Sequence, residues 1–298
     1  MLPEGYLDNM RLVTFKYHNE VRLGAQRGKL ILDLNKAMPA IPADILLFLA
    51  KGASALELAR EALAAANADA FIPENDVTLL APIPRPGKIL CIGHNYAGHT
   101  SSNKNELPEY PNMFCKTANT IIAHGQSILI PHVSNQVDYE AEMAVIIGKR
   151  GYEITEPEAM DYVVGYSIFN DVSARDYQKR SSQWLLGKSF DTFGPLGPAL
   201  VTKDEIPDPH CLNLELTVNH VPKQRTNTRD MIFSIPFLVS YLSKVMTLDP
   251  GDIIVTGTPS RLPEAENPQR FLEAGDVVNI TIEKIGTLTN TMAASRLD

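Results

Sequence analysis

Cysteine is scarce in this chain, and its positions exclude a disulfide framework. Only three of the 298 residues are cysteine, namely Cys91, Cys115 and Cys211, and they form no CxxC pair. Disulfide-stabilised domains are short, secreted and dense in cysteine, so we expect a reducing compartment. Cys91 and Cys115 stand in the runs KILCIG and NMFCKT, which favours small buried packing residues over nucleophiles.

Basic charge and long apolar runs are scarce as well. The chain has 27 Lys and Arg against 35 Asp and Glu, a formal net charge of -8, without any basic run. This excludes a nucleic-acid binder that relies on a basic surface. No apolar segment approaches the roughly 20 residues of a membrane helix, so we expect no membrane partner. The start, MLPEGYLDNMRL, is typical of neither a signal nor a transit peptide, which predicts a cytoplasmic location and leaves a mitochondrial one open.

A proline-rich connector divides the chain into two predicted domains. Residues 11–34 carry short β-rich runs, and residues 43–68 carry an Ala/Leu-rich helical pattern broken near Gly52. The segment LLAPIPRPGK, residues 79–88, packs three prolines into a stiff connector. Beyond it, short strands outnumber helices and do not alternate with them. We therefore predict an α+β, mostly β fold, with a small N-terminal α+β domain over 1–80 and a larger domain over 85–298.

Three acidic residues precede a buried strand in VDYEAEMAVIIG, residues 137–148. Asp138, Glu140 and Glu142 alternate with apolar residues, so they share one face of a strand. The following residues have no polar face, which indicates that the strand enters the core. Carboxylates so placed repel each other unless solvent, a basic partner or a cation relieves them. We favour a cation, and oxygen-only ligands indicate Mg²⁺, Mn²⁺ or Ca²⁺.

Other candidate residues follow other predicted strands, each with a plain structural alternative. Asp171 is equally well interpreted as a metal ligand and as a turn or cap residue. Lys188, in a Gly-rich segment, either binds an oxyanion or lies exposed. His94 and His99 are either general bases or surface residues. Thr258, in VTGTP, either binds an anion or belongs to an ordinary turn.

Seven motifs occur in an order that resembles the fumarylacetoacetate hydrolase family. The motifs are GHNYAGH, VDYEAEMAVIIG, NDVSARDYQ, WLLGKSFDTFGPLGP, VNH…TNTRDMIF, LDPGDIIVTGTP and FLEAGDVVNITIEKIGTLTN. The match runs from about residue 85 to the end, and the first eighty residues match loosely as the small N-terminal domain of such members. The resemblance implies a mixed β-roll catalytic domain, assembled as a homodimer, that depends on a divalent metal.

The resemblance also assigns roles to individual residues. It implies that Glu140, Glu142 and Asp171 hold a Mg²⁺, Mn²⁺ or Ca²⁺ ion. The family's remaining site residues correspond to Gln178, Lys188 and Thr258, which contact the substrate, and to His99, which moves a proton or activates water.

The family chemistry concerns 2-oxo acids and 1,3-dicarbonyl compounds, which react through an enolate stabilised by the metal and by Lys188. Oxaloacetate tautomerisation or decarboxylation is our first expectation. The alternatives are C–C bond hydrolysis of an acylpyruvate or fumarylacetoacetate type, a larger β-dicarbonyl substrate in specialised metabolism, and a catalytically silent member that binds a ligand.

Two places depart from the family pattern. Many relatives that cleave C–C bonds have a glutamate three residues after the histidine, where this chain has Ser102. Glu106 replaces that acid only if its loop folds back, so His99 is a poorer base for water and hydrolysis is less expected. The turn after Thr258 reads GTPSRLPEAENPQRF rather than Gly-rich, and Arg261 within it either binds a carboxylate or is exposed.

Overall fold

The computed structural model describes residues 10–97, 107–266 and 270–295, and the following elements lie within these ranges. The strands are β1 Arg11–Tyr17, β2 Glu20–Arg27, β3 Leu30–Asp33, β4 Phe71–Pro73, β5 Thr78–Leu79, β6 Ile89–Gly93, β7 Asn112–Lys116, β8 Ile121–Ile122, β9 Ser127–Ile130, β10 Val137–Asp138, β11 Ala141–Ile147, β12 Val163–Asn170, β13 Ser173–Ala174, β14 Gly194–Thr202, β15 Asn213–Val218, β16 Val221–Asn227, β17 Ile253–Val255, β18 Val277–Ile282 and β19 Gly286–Ala294. The α-helices are α1 Leu34–Ala37, α2 Ile45–Ala50, α3 Ala53–Ala65, α4 Arg175–Gln178, α5 Leu185–Lys188, α6 Ile235–Ser243 and α7 Pro263–Glu266.

The N-terminal region confirms the predicted strand meander and helix pair. β1, β2 and β3 pair in antiparallel order. α2 begins after Asp44, whose carboxylate accepts a hydrogen bond of 2.9 Å from Leu47 N, as an N-cap does. The two helices separate at Gly52, which adopts a φ of +64° that glycine tolerates without steric strain. The alanine spacing of α3 buries one face of that helix against the sheet.

Most strands belong to two sheets, which together confirm the predicted α+β, mostly β class. The larger has the order β4-β3-β2-β1-β14-β12-β11-β17-β6-β7, and the smaller has the order β16-β15-β18-β19-β9. β17 pairs with β6 in parallel while most neighbours are antiparallel, so the larger sheet is mixed. β1 pairs with β14, so the N-terminal meander extends the sheet of the later strands. No helix among the described residues is both long and apolar enough to cross a bilayer.

β11 lies at the centre of the larger sheet and is buried along its whole length. It pairs with β12 on one side and with β17 on the other. Met143 and Val145 face one hydrophobic core, whereas Ala144 and Ile146 face a second core across the sheet. Because apolar residues cover both faces of the sheet here, the sequence of this strand is continuously apolar from Met143 onward and does not alternate.

The acidic stretch before β11 does not belong to the same strand, which corrects our interpretation of residues 137–148. β10 pairs with β13 in a separate two-stranded ribbon, and Tyr139 and Glu140 separate it from β11. The amide of Asn170 stabilises this break between the strands, because its Oδ1 accepts a hydrogen bond of 3.1 Å from Glu140 N. Cys115 is exposed on the edge strand β7, so the expected burial is wrong for Cys115 and correct for Cys91.

Candidate metal centre

Three carboxylates meet where the chain enters β11 and leaves β12. Glu140 precedes β11, Glu142 lies on it, and Asp171 follows β12 directly. The antiparallel register pairs Ala141 with Asn170, so Asp171 N donates a hydrogen bond of 2.9 Å to Glu140 O. One carboxylate oxygen of each acid lies within 4.8 Å of the others, and all three residues are buried. The structure therefore brings together the three residues expected to bind metal.

The chemistry of this cluster fits a hard divalent cation. Burial raises the pKa of Glu142 well above its ordinary value, and the nearby charges of Asp171 and Glu140 raise it further. Gly257 N donates a hydrogen bond to the Glu142 carboxylate and partly opposes this shift. Carboxylate oxygens are the ligands that Mg²⁺, Mn²⁺ and Ca²⁺ prefer, and such a cation would relieve the mutual repulsion of the three acids.

Two buried lysines contact the same carboxylates. Lys188 ends helix α5, and its Nζ lies 2.7 Å from Glu140 Oε2 and 2.7 Å from Asp171 Oδ2, so the exposed alternative is wrong. Burial lowers the pKa of Lys188, but the Asp171 and Glu140 charges outweigh burial and raise it overall. Lys116, at the end of β7, places Nζ 2.6 Å from Asp171 Oδ1 and 3.0 Å from Val172 O. Burial is the main reason that the pKa of Lys116 is lowered.

Asp138 binds two arginines and stands outside the three-carboxylate cluster. Its fully buried carboxylate accepts a hydrogen bond of 2.8 Å from Arg175 Nε and another from Arg261 Nη2. Arg175 Nη1 lies 2.6 Å from Glu140 Oε1 and 3.0 Å from Gln178 Oε1. Arg175 therefore connects Asp138 with the cluster, and Arg261 is largely buried rather than exposed.

A cavity of about 500 Å³ opens onto these groups. Gln178 and Thr258 both line it, as does His94, whose ring meets the edge of Trp184 at 5.5 Å between centroids. Thr258 Oγ1 accepts a hydrogen bond of 2.9 Å from the buried Gln224 Nε2, which fixes the hydroxyl at the cavity wall. The candidate base, His99, lies outside the described residues, together with Ser102 and Glu106.

Sequence reasoning missed three residues of this site and left the partners of a fourth unassigned. Arg175 was within the quoted NDVSARDYQ motif, and its spacing of three residues from Gln178 on one helix face was a usable signal. Lys116 gave only a weak signal, as the inward-facing end of an edge strand. Gln224 lies on β16, far from the others in sequence, and Asp138 was seen but not given partners.

The fold and the cavity together define a class of protein. It is an α+β, mostly β protein in which a buried set of acidic ligands, suited to a divalent cation, lies beside buried lysines in an open cavity.

Comparison with known proteins identifies the family within that class. Residues 88–293 match the fumarylacetoacetate (FAA) hydrolase C-terminal family model. Oxaloacetate tautomerase Fahd2a, mitochondrial, of Rattus norvegicus is 45% identical over 287 residues, covering 95% of this chain and 91% of that protein. The chain belongs to the fumarylacetoacetate hydrolase family and is an enzyme of that family.

Solved structures of the family share the whole fold. Fumarylacetoacetate hydrolase from Exiguobacterium antarcticum is 32% identical, with a TM-score of 0.82 over 96% of this chain and 100% of that chain. Maleylpyruvate hydrolase from Sphingobium sp. SYK-6, in complex with manganese (II) ion and pyruvate, is 30% identical with a TM-score of 0.80 over the same shares. That complex holds a divalent metal and a 2-oxo acid together, which agrees with the acidic ligand set found here.

Proposed function

We propose that this enzyme interconverts the enol and keto forms of oxaloacetate, with Mg²⁺, or Mn²⁺ or Ca²⁺, held by Glu140, Glu142 and Asp171. The observation that carries the proposal is the cluster of these three buried carboxylates at an open cavity, two of which, Glu140 and Asp171, contact Lys188. The name of the rat relative supports the choice of oxaloacetate over other 2-oxo acids.

The charges around the cavity suit a dianionic substrate. The four acids described above face four cations, which are Lys116, Lys188, Arg175 and Arg261. Because these charges balance, a divalent ion would leave the site with an excess of about two positive charges. Oxaloacetate carries two carboxylates, and a buried site favours a ligand that neutralises it.

The chain's own residues account for binding and proton movement. A bound divalent cation would supply Lewis-acid polarisation of the 2-oxo acid group. Lys188 carries a positive charge that stabilises the enolate oxygen, while Gln178 and Thr258 donate hydrogen bonds that orient the substrate. In the ketonising direction the enol loses its hydroxyl proton to water, and C3 of the enolate gains a proton from His99, which water then reprotonates; the same steps in reverse restore the enol.

The test is an ultraviolet assay of enol oxaloacetate with and without Mg²⁺. We expect metal-dependent ketonisation, and we expect the double variant Glu140→Gln, Glu142→Gln to lose metal binding and at least about 100-fold in rate, because even outer-shell changes at metal sites cost 10–100-fold. Glu215→Gln is the control, since Glu215 pairs with Arg225 on an exposed strand face. Turnover that survives in the double variant would refute this mechanism.

The same preparation separates the alternatives. Pyruvate release from oxaloacetate would indicate decarboxylation, and cleavage of an acylpyruvate would indicate C–C hydrolysis, for which the maleylpyruvate hydrolase neighbour is the precedent. Turnover of bulky β-diketones with oxaloacetate ignored would instead favour the specialised-metabolism alternative.

Three broader expectations remain proposals. The family resemblance supports a homodimer, which light scattering of the purified protein tests directly. It also supports a distinct N-terminal domain over residues 1–80. Limited proteolysis near residues 80–85 tests that boundary. The name of the rat relative includes the word mitochondrial. This favours a mitochondrial location, which the sequence left open, over a cytoplasmic one.

A further inference from the structure

Two guanidinium groups share one buried carboxylate at the wall of the cavity. Arg175 and Arg261 both contact Asp138 Oδ2, and all three residues line the cavity. We propose that Arg261 is the specificity-determining residue for the distal carboxylate of a dianionic 2-oxo acid. This rests on the proposed function, because it assigns the end of the substrate that lies away from the metal-binding acids.

A divalent cation bound at the acidic cluster would leave this point with an excess of positive charge. Asp138 is fully buried and offers one negative charge to two arginines, while Arg175 also serves Glu140. The remaining oxygen, Asp138 Oδ1, accepts a hydrogen bond of 3.0 Å from Tyr139 N. A second carboxylate from the substrate balances that excess at a guanidinium that is only 12% exposed.

Arg261 has donors left for such a ligand. Its side chain is only 12% exposed, and Nη2 is the atom that binds Asp138. Among the described residues, neither its Nε nor its Nη1 donates a hydrogen bond to a protein group. A guanidinium presents its N–H groups as a planar fork that matches a carboxylate, so one edge can hold Asp138 while the other receives the substrate.

The turn that carries Arg261 is held in place by β16. Leu262 N donates a hydrogen bond of 2.8 Å to Lys223 O, beside an isolated bridge that pairs Gln224 with Arg261. The buried Gln224 side chain donates from Nε2 to Pro259 O at 2.6 Å. Its Oε1 accepts from Ala141 N at 3.0 Å, which ties the turn to the strand that carries Glu142. The guanidinium is therefore preorganised relative to the acids.

The position of Arg175 orders the site from one end to the other. Arg175 contacts Glu140 of the acidic cluster and Asp138, and Asp138 in turn contacts Arg261. A 2-oxo acid with its oxo and first carboxylate at the cluster extends its chain past Arg175. A substrate with a carboxylate at its far end reaches Arg261, whereas one that ends in a methyl group offers no acceptor to the Nε and Nη1 of that guanidinium.

The test compares two acids that share a four-carbon chain. Oxaloacetate has a distal carboxylate, and 2-oxobutanoate has a methyl group in the same place. Exchange of the C3 hydrogens with deuterium, followed by NMR, measures enolisation of both in one assay. We expect Arg261→Gln to lower kcat/KM for oxaloacetate about 10- to 100-fold, chiefly through KM, and to lower it far less for 2-oxobutanoate. Arg261→Lys should restore part of the loss, since it keeps the charge without the fork.

Arg225→Gln is the matched control, because Arg225 lies one residue beyond Gln224 on β16 but is 61% exposed and pairs with Glu215. An equal loss on both acids in Arg261→Gln, or no loss on oxaloacetate, overturns the inference. Calorimetry measures the binding of the two acids to the Mg²⁺-loaded protein, so it tests the inference independently of whether the proposed reaction occurs. If the wild type enolises neither acid but binds oxaloacetate in an Arg261-dependent way, the proposed function fails and the inference stands.

Discussion

Two cavities lie at the two ends of β11, and they differ in whether their charged side chains are buried or exposed. At the Ala141 end lies the cavity of about 500 Å³ with its buried acids and lysines. Beyond Ile147 lies a larger cavity of about 660 Å³, between helices α2 and α3 and the ends of β11, β12 and β14. Its ion pairs stand at the surface: Arg60 and Asp204, 3.0 Å apart, are 38% and 45% exposed.

This difference shows that buried charge, rather than cavity size, marks the site. An exposed ion pair contributes little to the free energy of folding, and its loss costs little stability, because water screens both partners. A buried carboxylate loses its hydration and is retained only where several partners compensate it. Asp171 has two lysine partners at 2.6 and 2.7 Å and no exposure, whereas Asp204 and Asp249 at the larger cavity are themselves 45% and 38% exposed and bind cations that are also exposed to water. Three predictions probe this contrast.

The largest effect is expected from removing a buried cation. Lys116→Met leaves the buried Asp171 with one lysine instead of two, and breaking a buried pair costs about 3–5 kcal/mol. Urea unfolding of the metal-free protein measures the loss. The control is Arg150→Met at the larger cavity, which removes a 71% exposed arginine paired with the 38% exposed Asp249 and should cost about 1 kcal/mol or less. Equal losses in the two variants would remove the distinction between the two ends of β11.

A smaller effect is expected from pH in the metal-free protein. Burial, with the charges of Asp171 and Glu140, raises the pKa of Glu142 well above the 4.5 of an unperturbed glutamate. Between 4.5 and that raised value the folded state binds more protons than the unfolded state, so stability falls as pH rises through this window.

Melting temperatures in a chelator at about pH 5 and about pH 8 measure this dependence, and Glu142→Gln should flatten it by a few degrees. Mg²⁺ should stabilise the wild type more at the higher pH, because the ionised cluster binds the cation. Identical pH profiles for the wild type and Glu142→Gln would show that Glu142 does not carry the effect.

The smallest effect is expected at the larger cavity. Arg60→Gln removes the exposed pair with Asp204 and should change the free energy of unfolding by no more than about 0.5–1 kcal/mol. Metal affinity, measured by calorimetry, should stay at the wild-type value. A marked loss of metal affinity would mean that the two ends of β11 are coupled through the strand.

Much of the fold could be predicted because its signals are local. The Ala/Leu pattern around Gly52 predicted α2 and α3, and the short β-rich runs predicted β1 to β3. The break between β10 and β11 at Tyr139 and Glu140 was missed, since it depends on the Asn170 amide, thirty residues from Glu140 in sequence. The pairing of β1 with β14 was missed for the same reason, because the sequence of neither strand identifies the strand with which it pairs.

The site divides in the same way. Glu140, Glu142 and Asp171 could be proposed as ligands because carboxylates that interrupt apolar strands need a reason to be there, and the family motifs supplied one. Lys116 could not, because its role depends on β7 lying at the sheet edge beside Asp171. The sequence left open whether Lys188 and Arg261 are exposed or buried. In the structure both side chains are largely buried.

The sequence by itself determined the family, the α+β class and the residue types of a divalent-metal site, because these follow from motif order, periodicity and ligand chemistry. Only the tertiary structure decided which cation faces which carboxylate. Pairing between distant strands sets those distances, and no local pattern encodes it. The three alternating acids of residues 138–142 thus separate into two members of the candidate metal-binding cluster and one, Asp138, that contacts two arginines at the cavity wall.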